Sequence, residues 1–319
     1  MGAYASSPNV GDWDAELETR YYNEIKSFDN IGGLEHPFAG TLHNRDDDWF
    51  LGNIDPSWDF VFTTIPGVMG AIGKNPNFGI ASDDADGRAE SLAFMKKACD
   101  AIAKLNAHAG RQAVRAIQIH TSPNKAKAGS SKESLEASLG EMLSWDWQGA
   151  KLVIEHCDAF VEGQDPGKGF LTIEDEIAAI AATGNKVGIT INWGRSAIET
   201  RSAEGVLAHI KAAKDAGVLS GLMFSGASGN ESEYGVWRDS HMPPVAQSAD
   251  GAGEPASLTT PAEIKACIEA AGPDSLLYLG AKLGIRPRTA PLDKRIAYNR
   301  EVFSTVSYTH LTLPTILLV

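Results

Sequence analysis

Glu35-His36, His120, Glu155-His156, Asn192, Ser225 and Lys282 all stand at the C-terminal ends of short apolar runs. That recurrence is the strongest chemical signal in the chain, because polar residues are costly to bury unless paired or used. A carboxylate whose pKa is raised by burial can exchange a proton with a substrate C–H or O–H group. A fixed ammonium stabilises an enediolate or alkoxide oxygen as charge develops, or forms a Schiff base if its pKa is lowered. Glu155, Lys282 and His120 are therefore the expected catalytic residues. Glu35, His36, Gln118, Asn192, Arg195, Trp237 and Arg286 are the expected substrate-binding residues. The plainer alternatives are an ion pair from Glu155 to Lys282 or Arg195, and histidines satisfied within the core.

The elements that must position these residues are eight β-like runs, most followed by a helix-like stretch. They are Gly2–Ser6, Ile31–Pro37, Asp59–Ile65, Arg115–Thr121, Lys151–Asp158, Lys186–Trp193, Gly221–Ser225 and Leu276–Leu283. Eight such units close a parallel (β/α)8 TIM barrel, whose active site sits where the strands end. Alternation sets the faces. Ile117 and Ile119, Leu152 and Ile154, and Ile189 and Ile191 belong against the helices. Gln118, His120, Glu155, Thr190, Asn192, Tyr278 and Lys282 then point into the barrel. The clearest helix is expected over Asp86–Ala107, while Pro66–Gly70 reads as loop. The segment Gly226–Thr260 is long for a loop in a compact domain and carries Trp237-Arg238-Asp239-Ser240-His241, a candidate lid.

The 319 residues suit one α/β domain, with residues 1–305 as the barrel. A net charge of −13 argues against a nucleic-acid partner. Three dispersed cysteines suit a reducing compartment, no membrane span or signal peptide is apparent, and a cytoplasmic location is expected. Residues 306–319 carry no charge and resemble translated sequencing-adapter read-through, an artefactual tail. The expected ligand is a small sugar or glycoside, and the oligomeric state is left open.

Lys151-Leu152-Val153-Ile154-Glu155-His156 resembles the strand that ends in a metal-binding glutamate in xylose-isomerase-like TIM barrels, the sugar isomerases and epimerases. Val187-Gly188-Ile189-Thr190-Ile191-Asn192 resembles the next strand of that superfamily, and the likeness is closest to a branch of unknown function. The resemblance implies a barrel acting on a sugar carbonyl. It also implies a four-ligand metal set of which only Glu155 is kept. Asn192, Ser225 and Lys282 stand where an aspartate, a histidine and a glutamate are usual. One divalent ion of the Mn or Mg type held by Glu155, Asp239 and His241 is the metal expectation. The leading functional expectation is isomerase- or epimerase-like proton transfer beside a sugar carbonyl. The alternatives are a glycoside hydrolase or keto-glycoside lyase with paired carboxylates, and a non-catalytic sugar-binding barrel.

Overall fold

The computed structural model describes residues 1–272 and 276–310. Seven strands form one all-parallel sheet in sequence order: β1 Gly33–Pro37, β2 Asp59–Thr63, β3 Val114–Ile119, β4 Lys151–His156, β5 Gly188–Asn192, β6 Leu219–Phe224 and β7 Tyr278–Ala281. Among the described residues ten helices accompany them. These are α1 Ala15–Lys26, α2 Asp47–Asn53, α3 Ile65–Ile72, α4 Ala85–Ala109, α5 Lys132–Met142, α6 Ile173–Ala182, α7 Trp193–Thr200, α8 Glu204–Asp215, α9 Pro261–Ala271 and α10 Leu292–His310. The architecture is TIM-barrel-like, and seven of the eight expected strands are present.

The exception is Gly2–Ser6. Only its first step pairs: Gly2 N–H donates to Ala281 O at 2.8 Å, and Glu35 N–H donates to Met1 O at 2.9 Å. Met1 and Gly2 thus bridge β7 and β1 and nearly close the barrel. The chain then coils into a 3-10 turn, Ala3–Ser6. The reason lies in side chains that compete for its carbonyls. Tyr21 Oη donates to Ala3 O, and the Arg295 guanidinium donates to Ser6 O and Ser7 O. With those acceptors engaged, no further ladder forms, and Tyr4 is carried over the barrel mouth.

The face assignments hold. Ile117, Ile119, Leu152, Ile154, Ile189, Ile191 and Leu279 lie in the buried layer between sheet and helices. Val61, Ala116, Val153, Met223 and Tyr278 fill the barrel interior as a separate cluster. Pro66–Gly70 is helical rather than loop, because Pro66 occupies the first turn of α3, where its missing N–H is not needed. The acidic run caps as its composition suggests: Asp46 accepts from Asp48 N and Trp49 N at the start of α2. Helix α10 runs past residue 305, with Val306 fully buried. Residues 311–319 of the adapter-like tail lie outside the described residues. No helix among the described residues is long and apolar enough to cross a membrane.

The inner cluster is the floor on which the strand-end residues stand. Met223, 1% exposed, fills the barrel axis. Met223→Ala leaves a cavity there and is expected to lower unfolding free energy by about 2–5 kcal/mol, measured by urea denaturation.

Candidate active site at the barrel mouth

Glu155, at the end of β4, is fully buried and surrounded by four donors. Its Oε1 accepts from Lys282 Nζ at 2.8 Å and from Asn192 Nδ2 at 2.9 Å. Its Oε2 meets His120 Nε2 at 2.9 Å and Arg195 Nη1 at 2.6 Å. A carboxylate offers about four lone-pair sites, so this one is filled. Burial alone would push its pKa up, but Arg195 and then Lys282 outweigh it and hold the carboxyl well below the usual range. A filled carboxylate of low basicity is a poor proton acceptor. The expectation that Glu155 has its pKa raised is therefore corrected.

The pairing continues in both directions. Lys282 also donates to Glu35 Oε1 at 3.0 Å. Arg195 Nε donates to Asp239 Oδ2 at 3.2 Å, and Lys168 Nζ donates to the same oxygen at 2.8 Å. The result is an alternating buried string, Glu35–Lys282–Glu155–Arg195–Asp239–Lys168. Burial would lower the pKa of Lys282, yet Glu155 and Glu35 raise it. Its amine stays an ammonium, which removes the Schiff-base option. His120 is pushed down to about 4, chiefly by burial. As the neutral ring it donates from Nε2 to Glu155, while Nδ1 lies 3.0 Å from Thr64 Oγ1, whose hydroxyl is shared with Gln118 O at 3.0 Å.

Two cavities open above this string. One, of about 250 Å³, is walled by Tyr4, Trp13, Tyr21, Tyr22, Glu35, His36 and His43, among others. The other, of about 320 Å³, includes Asp239, His241, Arg286 and Arg288. Tyr4, Ser7, Asn9 and Gly11 line both. Among the described residues, Tyr4 Oη and Glu35 Oε2 are buried with no hydrogen-bond partner, and Asp239 Oδ1 has only the His241 ring nitrogen at 3.1 Å. Buried polar atoms are nearly always paired, so unpaired ones beside a cavity mark where a polar ligand would sit. Burial, and next Glu35, raises the Tyr4 phenol well above its ordinary value, so it remains a donor. The close approach of Gly2 permits this arrangement: a Cβ there would lie 2.4 Å from Lys282 Cβ.

Of the expected substrate-binding residues, Glu35, His36 and Arg286 line these cavities. His36 is anchored, its Nε2 on Leu42 O and its ring stacked on Phe50 at 4.2 Å. Gln118 lies deeper, with Nε2 on Tyr278 Oη at 3.1 Å. Asn192 and Arg195 are spent on the ion-pair string. Trp237 lines neither cavity and instead packs under the Arg201 guanidinium. Glu155, Asp239 and His241 do not converge into a metal cage, because the Arg195 guanidinium stands between Glu155 and Asp239. His241 Nδ1 lies 3.1 Å from Asp239 Oδ1 and 3.3 Å from Ser225 Oγ. Sequence reasoning missed Tyr4 and Lys168. Tyr4 falls within the expected first strand, Gly2–Ser6, and Lys168 lies in the irregular segment between β4 and α6, where no periodicity points a side chain.

Residues 1–298 match the model of a family described as a domain of unknown function, DUF4862. The chain belongs to the DUF4862 family. An uncharacterised protein of Salmonella typhimurium is 33% identical over 303 residues, covering 94% of each chain. Among solved structures, the DUF4862 chain is similar to a D-psicose 3-epimerase determined in the presence of D-fructose. The identity is 16%, the TM-score 0.51, and 92% of each chain is covered. It is also similar to a D-allulose 3-epimerase from Methylomonas sp., at 12% identity and TM-score 0.54, with 95% of this chain and 96% of that one covered. A third is a xylose isomerase-like TIM barrel fused to a 4-hydroxyphenylpyruvate dioxygenase, at 14% identity and TM-score 0.55. The match covers 97% of this chain and 43% of the fusion. The xylose-isomerase-like resemblance of β4 and β5 is thus borne out at the level of fold.

The electrostatics give a stability expectation. Glu155 has a folded pKa below its ordinary value of 4.5. Its contribution is complete above that value and is lost as the pH falls through the depressed folded pKa. Glu155→Gln removes the central anion and leaves Lys282 with Glu35 alone and Arg195 with Asp239 alone. We expect a loss of about 3–5 kcal/mol at pH 7, and a stability curve flatter than wild type below pH 4.5, by urea denaturation across pH.

Proposed function

We propose that this DUF4862 protein is an enzyme acting on a small carbohydrate, of the isomerase or epimerase type, by proton transfer beside a carbonyl. The observation that carries the reading is the pair of buried oxygens, Tyr4 Oη and Glu35 Oε2, without a hydrogen-bond partner among the described residues and beside an ammonium fixed by two carboxylates. In this reading Glu35 Oε2 takes the proton from the carbon next to the carbonyl and delivers it to the former carbonyl carbon, while the hydroxyl proton of the enediol passes between the two substrate oxygens. The Lys282 ammonium and the Tyr4 phenol stabilise the oxygen that gains charge. Lys282 spends two of its three N–H groups on Glu35 and Glu155, which leaves one for that oxygen. Glu155 holds Lys282, Arg195 and His120 in place and does not itself exchange protons. The second cavity, with Arg286 and His241, takes the polar hydroxyl end of the substrate.

The fold supports the substrate class by analogy with the epimerases, and analogy of fold decides no reaction. The residues themselves weigh against the hydrolase alternative. A retaining or inverting pair needs one carboxyl protonated at rest. Glu155 is held ionised, and Lys282 occupies the space between it and Glu35.

The test is solvent exchange. Ketoses and keto-glycosides are incubated with the protein in D2O, and loss of the C–H signal next to the carbonyl is followed by NMR. Exchange is expected with wild type. Glu35→Gln is expected to reduce it about 10²–10⁴-fold, with Tyr4→Phe less severe and still folded. Saturable sugar binding without any exchange would replace this reading with the non-catalytic barrel.

A further inference from the structure

Glu155 and His156 are consecutive on β4, so their side chains leave opposite faces of the strand. Glu155 enters the barrel. His156, fully buried, points toward the helices, where none of the chemistry above uses it. Its Nε2 lies 3.1 Å from Glu199 Oε2 on α7. The other oxygen of Glu199 faces His209 Nε2 on α8 at 3.6 Å. The donor atoms of His156, Glu199 and His209 all lie within 4.8 Å of one another, and among the described residues this is the one such group of three His, Cys, Asp or Glu residues.

The remaining nitrogens are held from behind. His156 Nδ1 meets Glu176 Oε2 at 2.8 Å, and the Thr121 hydroxyl donates to Glu176 Oε1 at 2.7 Å. His209 Nδ1 meets Ser196 Oγ at 3.0 Å. Glu199 Oε2 is itself fixed by the Ala159 N–H at 2.8 Å. Metal-ligating histidines characteristically pass their second ring N–H to a carboxylate or other acceptor, which sets the tautomer and the ring orientation. Both rings here have their Nε2 turned inward and their Nδ1 engaged from behind.

We propose that His156, Glu199 and His209 form a binding site for one zinc-type divalent transition-metal ion, outside the barrel and separate from the carbohydrate site. Two imidazoles and one carboxylate are a zinc-type donor set, whereas Mg²⁺ and Ca²⁺ prefer all-oxygen shells. Donors about 2.0–2.2 Å from a tetrahedral ion lie roughly 3.4 Å from one another. The two Glu199 contacts, one through each oxygen, are 3.1 and 3.6 Å and the three donors lie within 4.8 Å, so a small side-chain adjustment closes them on an ion. The Glu199 and His209 side chains are 11% and 10% exposed, so the fourth position opens toward water. As a ligand His156 presents Nε2 to the ion with its Nδ1–H on Glu176, and any proton on Nε2 leaves to solvent. The ion then ties β4 to α7 and α8.

The test uses full-length protein stripped with a chelator and titrated with ZnCl2 and, separately, CoCl2. The expected result is one ion per chain, a rise in Tm, and the strong visible bands of four-coordinate cobalt. His209→Ala and Glu199→Gln abolish these. Glu176→Gln weakens zinc binding about 10–100-fold as a positioning residue. Asp239→Asn, at the barrel mouth, leaves zinc binding unchanged. The cobalt spectrum is read on wild type, so the proposal stays testable if a variant misfolds. Absence of stoichiometric uptake, or uptake lost in Asp239→Asn but kept in His209→Ala, would overturn the site.

Discussion

Everything at the barrel mouth depends on the Glu155 carboxylate being held between two cations. Taking a single charge out of water costs several kcal/mol even after relaxation, and a single buried pair seldom recovers it. The structure answers this by alternation. Glu35, Glu155 and Asp239 interleave with Lys282, Arg195 and Lys168, so each buried charge has opposite neighbours on the string. Neutral donors complete the shells: Asn192 and His120 on Glu155, and Thr64 behind His120. Removing any member strands its neighbours, which makes the string rigid as well as stable. Such rigidity suits the proposed proton transfer, in which the groups that stabilise developing charge must already be in position.

The same string shows why the metal expectation does not transfer to this mouth. Where the resemblance implies carboxylate and imidazole ligands, Lys282 and Arg195 bring positive charge instead. An ion at Glu155 would face an ammonium at 2.8 Å and a guanidinium at 2.6 Å. Lys282 therefore supplies the positive charge at this position. In the proposed reading, carbonyl polarisation passes from an ion to the Lys282 side chain.

The sequence made the strand-end residues legible because period two fixes the inward face of each strand. Gln118, His120, Glu155, Asn192 and Lys282 are inside as alternation requires, and the barrel fold follows from the same pattern. Alternation does not set depth, which is why Gln118 ended below the cavity, hydrogen-bonded to Tyr278. Nor does it say which buried carboxylate keeps a free oxygen. Glu35 and Glu155 look alike in sequence, and only their neighbours separate them. Loop side chains carry no periodic signal at all. Tyr4, Lys168 and Asp239 reach the mouth from irregular segments, while Trp237, drawn in by its residue type, packs on Arg201 instead. The expected first strand, Gly2–Ser6, fails because Tyr21 and Arg295, distant in sequence, claim its carbonyls.

Strand β4 carries two separate electrostatic problems on adjacent residues. Glu155 is an anion among cations inside the barrel. His156 is a cation among anions outside it: burial opposes its charge, but Glu176 and then Glu199 push its pKa up to about 10. A one-residue slip of β4 in one direction would place His156 against Lys282 and Arg195, and in the other would place Glu155 against Glu176 and Glu199. Either slip sets like charges together and removes the Glu155 anion from between its two cations. The pairing Glu155↔Thr190 and His156↔Ile191 is thus fixed from both faces at once. Apolar residues fix register through burial alone. Here charge of opposite sign on the two faces adds a second, independent penalty for the wrong register, at the strand that carries the centre of the site.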